Sequence, residues 1–130
     1  MFEEEDLPTE SKIISENKGE GIVERESAWT GEVKGYDSFP SGRVAGSGRS
    51  YIHNNGISIS HWQGEFKTDK EEQVLFKGRD VNRSGKFVVL RTYFTASEIL
   101  GWMNGLVCIL SGEFEPSAGV FKCTGYELKL

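Results

Sequence analysis

Four polar residues on predicted strands could bind or position a small molecule. His61 and Gln63 lie two apart on one predicted strand and Asp80 lies on the next, so alternation can place all three on one otherwise apolar face. A buried carboxylate without a partner costs on the order of 3–5 kcal/mol, so it must be satisfied by neighbours or meet a ligand. Tyr126, on the last predicted strand, could add a hydroxyl. We predict these four as ligand-binding residues; the alternative is that they only cap a barrel mouth, hydrogen-bonded to backbone and water.

The sequence lacks the familiar catalytic, metal-binding and phosphate-binding motifs. Its two histidines, His53 and His61, exclude a His-rich metal site within one chain, and no His-x-x-x-His spacing occurs. The glycine-rich stretch 42–50 has no P-loop lysine, and the Gly-x-Ser-x-Gly motif is absent. A triad including His61 and Asp80 can be drawn, but no strained nucleophile turn accompanies it. We expect no metal and no cofactor, and the catalytic residues stay unassigned.

Short alternating runs separated by turn signals predict an all-β fold. The clearest turn signals are Asn54-Asn55-Gly56 and Asn82-Arg83-Ser84-Gly85, because Asn and Gly tolerate the left-handed conformations that hairpins need. The predicted strands cover residues 11–17, 21–36, 49–54, 57–67, 71–81, 86–95, 105–115 and 119–130. This pattern predicts an antiparallel barrel of about eight strands, as a single domain over residues 11–130.

Three segments depart from the alternating pattern. Residues 1–10 are acidic, contain a proline and show no periodicity, so we expect a flexible N-terminal arm. Residues 39–48 form the longest irregular stretch and are the best candidate for a mobile or functional loop. Thr95-Ala96-Ser97-Glu98 matches a capping box, which predicts one short helix over about residues 96–103 that covers an open barrel end.

The turns decide which strand faces point inward. We expect an even number of residues in the loop near 68–69. The odd-numbered residues of 57–63 then share one face with the even-numbered residues of 74–80, and we predict this face to be the core. A bulged turn at 82–85 then continues this face through the even residues 88–94. A one-residue difference in that turn would instead bring inward Phe87, Val89, Arg91 and Tyr93. The strand register after residue 82 therefore stays open.

Two predicted strands are apolar on both faces, which an ordinary half-exposed strand is not. They contain the runs Phe87–Leu90 and Leu106–Leu110. Their outer faces should therefore be covered by the N-terminal strand or by another subunit. We favour a homo-oligomer.

Charge and composition disfavour several partners. The net charge is −5 and the basic residues are scattered, so no stripe for nucleic acid or an anionic membrane is present. The N-terminus has no signal-peptide pattern, and no apolar run approaches the ~20 residues of a membrane span. The two cysteines, Cys108 and Cys123, are interpreted as buried small hydrophobic residues rather than a disulfide or a metal pair. A cytoplasmic location is expected.

Several short motifs resemble a known group of barrels. They are Phe76-Lys77-Gly78-Arg79, the segment Gly85 to Arg91, Trp102-Met103-Asn104, Gly112-Glu113-Phe114 and Gly125-Tyr126-Glu127-Leu128. Over residues 20–130 the chain resembles small bacterial and archaeal proteins of unknown function with a calycin-like barrel, related in fold to allene oxide cyclase. The resemblance implies an eight-stranded barrel with an internal apolar cavity and frequent self-association. It implies no activity, because no catalytic residue of the cyclase is matched.

Three functional hypotheses follow from these observations. The first is a barrel that binds a small hydrophobic or amphipathic ligand, with His61, Gln63 and Asp80 near its mouth. The second is an isomerase- or cyclase-type enzyme that mainly shapes a reactive substrate in a dry cavity. The third is a structural oligomerisation module without a ligand, which would have an extensive apolar interface and no pocket.

Overall fold

Eight antiparallel strands form a closed barrel in a computed structural model that describes residues 1–130. Each strand pairs with its neighbours in the chain, and β1 pairs with β8 to complete the ring. The strands are β1 (Phe2–Asn17), β2 (Ile22–Gly35), β3 (Gly42–His53), β4 (Ile57–Thr68), β5 (Gln73–Arg83), β6 (Lys86–Phe94), β7 (Val107–Glu115) and β8 (Val120–Glu127). The predicted all-β antiparallel barrel of eight strands is confirmed. The chain contains no helix with the length and apolar character needed to span a membrane.

The first strand closes the barrel. Residues 1–10, predicted to be a flexible arm, lie almost entirely in β1, where residues 2–6 pair with residues 121–125 of β8. The opposite edge of β1 pairs with β2 along its whole length. Phe2 and Glu4 are buried, whereas Glu3 and Glu5 are exposed. The acidic run is thus one strand with alternating faces, and its composition concealed that alternation.

The glycine-rich segment forms strand rather than loop. Of residues 39–48, predicted to be irregular, only those before Gly42 lie outside β3. A Cβ at Gly46 would collide with the indole ring of Trp29, and a Cβ at Gly48 would collide with Trp62 and with the backbone of β4. These glycines make room for large side chains in the barrel, so their role is steric.

The predicted helix over 96–103 is a single 3-10 turn, Gly101–Met103. The hydroxyls of Thr95 and Ser97 bond within the segment and to residues 72 and 73 at the start of β5. The Thr95 hydroxyl donates to the carbonyl of Gln73 and accepts from the N–H of Ser97, and the Ser97 hydroxyl accepts from the N–H of Leu100. Leu100 and Met103 are nevertheless buried, so the segment covers one barrel end as expected.

The inward faces of β4 and β6 differ from the prediction. Ser60 pairs with Asp80 and His61 pairs with Arg79, so the even residues of β4 share the inner side with the even residues of β5. The cause is an odd number of residues, 68–72, between the last paired positions of the two strands. The next hairpin turns through only Ser84 and Gly85, both at positive φ, without a bulge. That turn brings inward the alternative set Phe87, Val89, Arg91 and Tyr93.

One half of the barrel is packed solid with aromatic and aliphatic side chains. Phe39, from the loop between β2 and β3, is buried and stacks on Phe2 at 4.5 Å between ring centroids. It also meets Phe66, Tyr93 and Trp102 at 6.1 to 6.2 Å. Together with Leu100 and Met103, this plug closes the end where β1 begins. The opposite end, at the β3–β4 and β5–β6 hairpins, is where the interior is less filled.

Candidate functional site

A buried ion pair crosses the barrel interior between Glu4 on β1 and Arg91 on β6. The guanidinium donates through Nη1 to Oε1 at 2.6 Å and through Nη2 to Oε2 at 3.0 Å. Both residues are almost fully buried. The guanidinium also lies 4.4 Å from the ring centroid of Phe76 and 5.8 Å from that of Trp29. Two parallel bonds and two aromatic faces hold Arg91 in one position.

The ion pair separates the plugged half of the barrel from the open half. Tyr93 lies on the plugged side, and its hydroxyl accepts a bond of 3.4 Å from Arg91 Nη1. Burial lowers the pKa of Arg91, but the charges and hydrogen bonds of Glu4 and Tyr93 outweigh it, so the net shift is upward. Arg91 Nε has no hydrogen-bond partner although it is buried. The floor of the open half thus carries a fixed cation with one unused donor.

Asp6 lies next to this ion pair and favours its neutral form. Burial raises the pKa of Asp6 most, and the negative charge of Glu4 raises it further, to about 10, against the opposing charge of Arg91. Asp6 Oδ1 is buried without a hydrogen-bond partner. At neutral pH the side chain is therefore a carboxylic acid that can donate as well as accept a hydrogen bond.

A second polar group, built on β3, β4 and β5, contains Asp80. Trp62 Nε1 donates to Asp80 Oδ2 at 3.2 Å, and the hydroxyls of Ser50 and Ser60 are 2.8 Å apart. Burial raises the pKa of Asp80, while the hydrogen bond from Trp62 partly opposes the shift. Asp80 Oδ1 is buried without a partner. One carboxylate oxygen is thus held while the other has an unused acceptor.

Asp6, Arg91 and the polar group around Asp80 line a cavity of about 350 Å³ in the open half of the barrel. Its apolar walls come from six larger side chains and one small one, namely Trp29, Ile52, Trp62, Phe87, Val89, Phe121 and Ala28. Polar side chains from β1, β2 and the hairpin end, including Glu10, Arg25 and Asn82, complete the lining. Small-molecule sites commonly combine such apolar walls with a few fixed polar groups. No group of three or more His, Cys, Asp and Glu side chains is arranged to hold a metal ion.

The structure separates the four sequence-predicted site residues. Asp80 lines the cavity. His61 and Gln63 lie on the outer face of β4, where they line a shallow groove with Arg49 and Arg79. Tyr126 is exposed on the outer face of β8. The predicted grouping of His61 with Asp80 inside the barrel is wrong, because the register of β4 against β5 puts them on opposite faces.

Sequence reasoning missed the other polar residues of the interior. Glu4 and Asp6 stand in a stretch interpreted from its composition, and a strict alternation from Phe2 would have placed both inward. Arg91 was anticipated only for the alternative register of β6. Ser60 and Trp62 lie on the face of β4 that was assigned to the outside. These omissions have three causes: the register of β4 against β5, the register of β5 against β6, and the assignment of residues 1–10 to an arm rather than a strand.

No protein-family model matches the chain, and no curated protein matches it in sequence. Solved structures do share its fold. A beta-barrel like protein from Acinetobacter baumannii has a TM-score of 0.82 at 16% identity, over 99% of this chain and 93% of its own. A protein of unknown function from Clostridium acetobutylicum has a TM-score of 0.78 at 14% identity, over 98% and 96% of the two chains. An enzyme from Penicillium herquei has a TM-score of 0.74 at 14% identity, over 99% and 91%.

These likenesses show the fold alone. The chain is an eight-stranded antiparallel β-barrel of a kind that also occurs in proteins of unknown function and, in one fungal case, in an enzyme. At such identities a shared fold does not carry a shared activity. Function has to be argued from the cavity.

Proposed function

We propose that this protein binds a small, mostly apolar molecule in the barrel cavity, with a polar group of that molecule directed at Asp6, Asp80 and Arg91. The observation that carries the proposal is the coexistence of a 350 Å³ apolar-walled space and four buried, unpartnered polar atoms on residues that line it, one on each of these three residues and one on Arg25. Burying a polar atom without a hydrogen bond costs roughly 1–3 kcal/mol. A ligand that supplied the missing partners would recover part of that cost.

The size of the cavity limits the ligand. Pockets for small molecules span about 300–1,000 Å³, so this one takes a ligand of one to three rings or a short chain. The indoles of Trp29 and Trp62 both line the cavity and meet edge to face, with centroids 6.3 Å apart. The ligand should therefore be compact, with an aromatic or alicyclic body.

Binding can be tested with N-phenyl-naphthylamine, a neutral fluorophore that brightens in apolar sites. We expect saturable brightening with the natural protein. Ser58→Trp should weaken it at least about tenfold, since Ser58 lines the cavity and the indole would occupy that space. Ser111→Trp is the matched control, because Ser111 is exposed on β7 and should leave binding unchanged.

Two results would refute this proposal. One is the absence of saturable brightening with the natural protein. The other is equal brightening in Ser58→Trp and in the natural protein, which would place the fluorophore outside the barrel. Circular dichroism of both variants establishes that the barrel is intact.

A second candidate function, self-association, is supported by the outer surface of the barrel. Ile59, Val81 and Val88 lie side by side on β4, β5 and β6, and Leu90, Ile109 and Tyr126 form the adjoining row across β6, β7 and β8. Val81, Val88 and Leu90 are each about half exposed, at 51%, 52% and 47%. Contiguous exposed apolar side chains commonly mark interfaces. We propose that this face binds a second copy of the chain.

Light scattering of the purified protein tests the self-association. Leu90→Lys should yield monomers, because it places a charge in the centre of the face, while Leu7→Lys on β1 should leave the assembly unchanged. A natural protein that is monomeric at high concentration would contradict the proposal.

Two further proposals concern the fold family of the protein and its cellular compartment. The barrel topology and its internal cavity support a place among calycin-like barrels of the allene oxide cyclase type. Cys108 and Cys123 are free, buried thiols, which is the usual state in a reducing compartment and supports a cytoplasmic location. Neither proposal bears on the identity of the ligand.

A further inference from the structure

We propose that the cavity catalyses proton transfer on a small neutral ketone, with Asp80 as the base at the carbon next to the carbonyl and with Asp6 and Arg91 as donors to the carbonyl oxygen. The inference rests on the proposed function, since it requires the ketone to bind in the cavity. It concerns reaction class: enolisation and the double-bond shifts that follow from it.

Asp80 has the geometry of a positioned base. Its Oδ2 accepts the indole N–H of Trp62, which fixes the carboxylate, and its Oδ1 has no partner. Partial burial raises the pKa of Asp80 above its ordinary value, which strengthens the carboxylate as a proton acceptor. Because Asp80 lines the cavity, we place the substrate C–H against Oδ1, while Oδ2 keeps its bond to Trp62.

Asp6 and Arg91 can stabilise the oxygen of the same substrate. Arg91 Nε carries an unused N–H on a residue that is 96% buried, given its exposed fraction of 4%, and that also lines the cavity. Asp6 adds a carboxyl O–H, because burial and the adjacent Glu4 keep it protonated. Two donors at a developing enolate oxygen are worth far more in a water-poor cavity than in solution.

The environments of the two aspartates differ in the direction that acid–base catalysis requires. Burial raises the pKa of both aspartates, but the hydrogen bond from Trp62 opposes the rise at Asp80, whereas the charge of Glu4 adds to it at Asp6. Two carboxyl groups that share a cavity and have different pKa values are a general sign of an acid–base pair. The Glu4–Arg91 bond keeps Arg91 in place while protons move elsewhere.

The proton-transfer steps balance without a co-reactant. Asp80 removes a proton from the α-carbon; the C–H bond breaks, its electrons form the C=C bond of an enol, and the carbonyl oxygen takes the proton of Asp6. In the return step the enol O–H proton goes back to Asp6, and protonated Asp80, whose proton exchanges with solvent while the enol is bound, delivers a proton to carbon. Delivery to the α-carbon restores the ketone, and delivery to a conjugated γ-carbon yields the shifted isomer. No oxidation or reduction occurs.

The test uses β-tetralone, a neutral bicyclic ketone with acidic α-protons. Its binding is measured as displacement of N-phenyl-naphthylamine, and its reaction as exchange of α-protons for deuterium in heavy water, followed by proton NMR. We expect displacement and exchange faster than in buffer. Asp80→Asn should keep displacement but lose at least about 100-fold in exchange rate. Asp69→Asn, the same substitution in an exposed turn, is the control and should match the natural protein.

The outcomes separate the two proposals. If the ketone displaces the fluorophore but exchange equals that in buffer, or if Asp80→Asn exchanges as fast as the natural protein, proton transfer is refuted and cavity binding stands. If the fluorophore binds and the ketone does not displace it, the ketone assignment is refuted. If neither molecule binds, both proposals fall. Asp6→Asn adds a graded readout: its amide still donates a hydrogen bond but cannot transfer a proton readily, so exchange should slow less than in Asp80→Asn.

Discussion

Replacing Asp6 with asparagine should change how the stability of the barrel depends on pH. In the unfolded chain Asp6 releases its proton near pH 3.8, whereas in the barrel burial and Glu4 keep that proton to about pH 10. Between these values the folded state binds one proton more than the unfolded state at this residue. Stability must therefore fall as pH rises through this window, and it is highest at the acidic side. Asparagine has nearly the same shape as aspartic acid and does not titrate, so this dependence disappears in the variant.

The magnitude follows from one proton. A difference of one bound proton changes the free energy of unfolding by about 1.4 kcal/mol per pH unit. Between about pH 6 and pH 8, Asp6→Asn should thus gain roughly 2.7 kcal/mol relative to the natural protein. The assay is urea unfolding followed by tryptophan fluorescence at several pH values in that range. Comparing variant with natural protein cancels the contributions of all groups that are unchanged.

Glu5→Gln is the matched control. Glu5 neighbours Asp6 on β1 but points outward, with 60% of its side chain exposed, so its replacement should leave the pH dependence nearly unchanged. Parallel stability curves for Asp6→Asn and the natural protein would show that Asp6 is charged in the folded state. That result would also remove the acid from the proposed proton transfer.

Two further predictions concern the interior of the barrel. Arg91→Met should destabilise the protein by about 3–5 kcal/mol, because it leaves the Glu4 carboxylate buried without a partner. Adding Glu4→Leu should restore much of this stability. Urea unfolding of the single and double variants measures both effects. A single variant as stable as the natural protein would contradict the buried pair. Gly46→Ala should cost about 1–3 kcal/mol, because its Cβ would collide with the Trp29 ring. Gly101→Ala, which has open space around it, is the control, and equal melting temperatures for these two variants would contradict the steric role of Gly46.

The strand count was predictable from local signals, whereas the inner faces were not. Asn54-Asn55-Gly56 and the Asn82–Gly85 segment both lie at hairpin turns, with Gly56 and Gly85 at positive φ, although the second turn lacks the expected bulge. The register of β4 against β5 depends instead on the turn at 68–72, where Glu71 adopts a φ of 64°. Few non-glycine residues adopt that conformation, and nothing local in the sequence signals it. One unexpected backbone angle was enough to exchange His61 for Ser60 inside the barrel.

The candidate site was less predictable than the fold because its parts are distant in the chain. Asp80 was identified from its position on an apolar strand face, a local pattern. Glu4 and Arg91 are separated by 87 positions, and each looks like an ordinary surface charge until the barrel closes. Burying a charge is too costly in free energy unless an opposite charge pairs with it. The sequence could therefore not predict either residue to face inward without the other.

The closure of the ring by β1 and β8 has a consequence for how the chain reaches its native state. The closing contacts join positions up to 124 residues apart. During synthesis the edge of β1 that pairs with β8 therefore stays uncovered until β8 has been made. Pairing between strands so far apart in the chain forms slowly, because the entropy cost of closing the long loop comes before any contact is gained. During that interval the backbone of residues 2–6 is an open edge that can recruit another nascent chain. The yield of recombinant protein should therefore rise when synthesis is slowed by lowering the temperature.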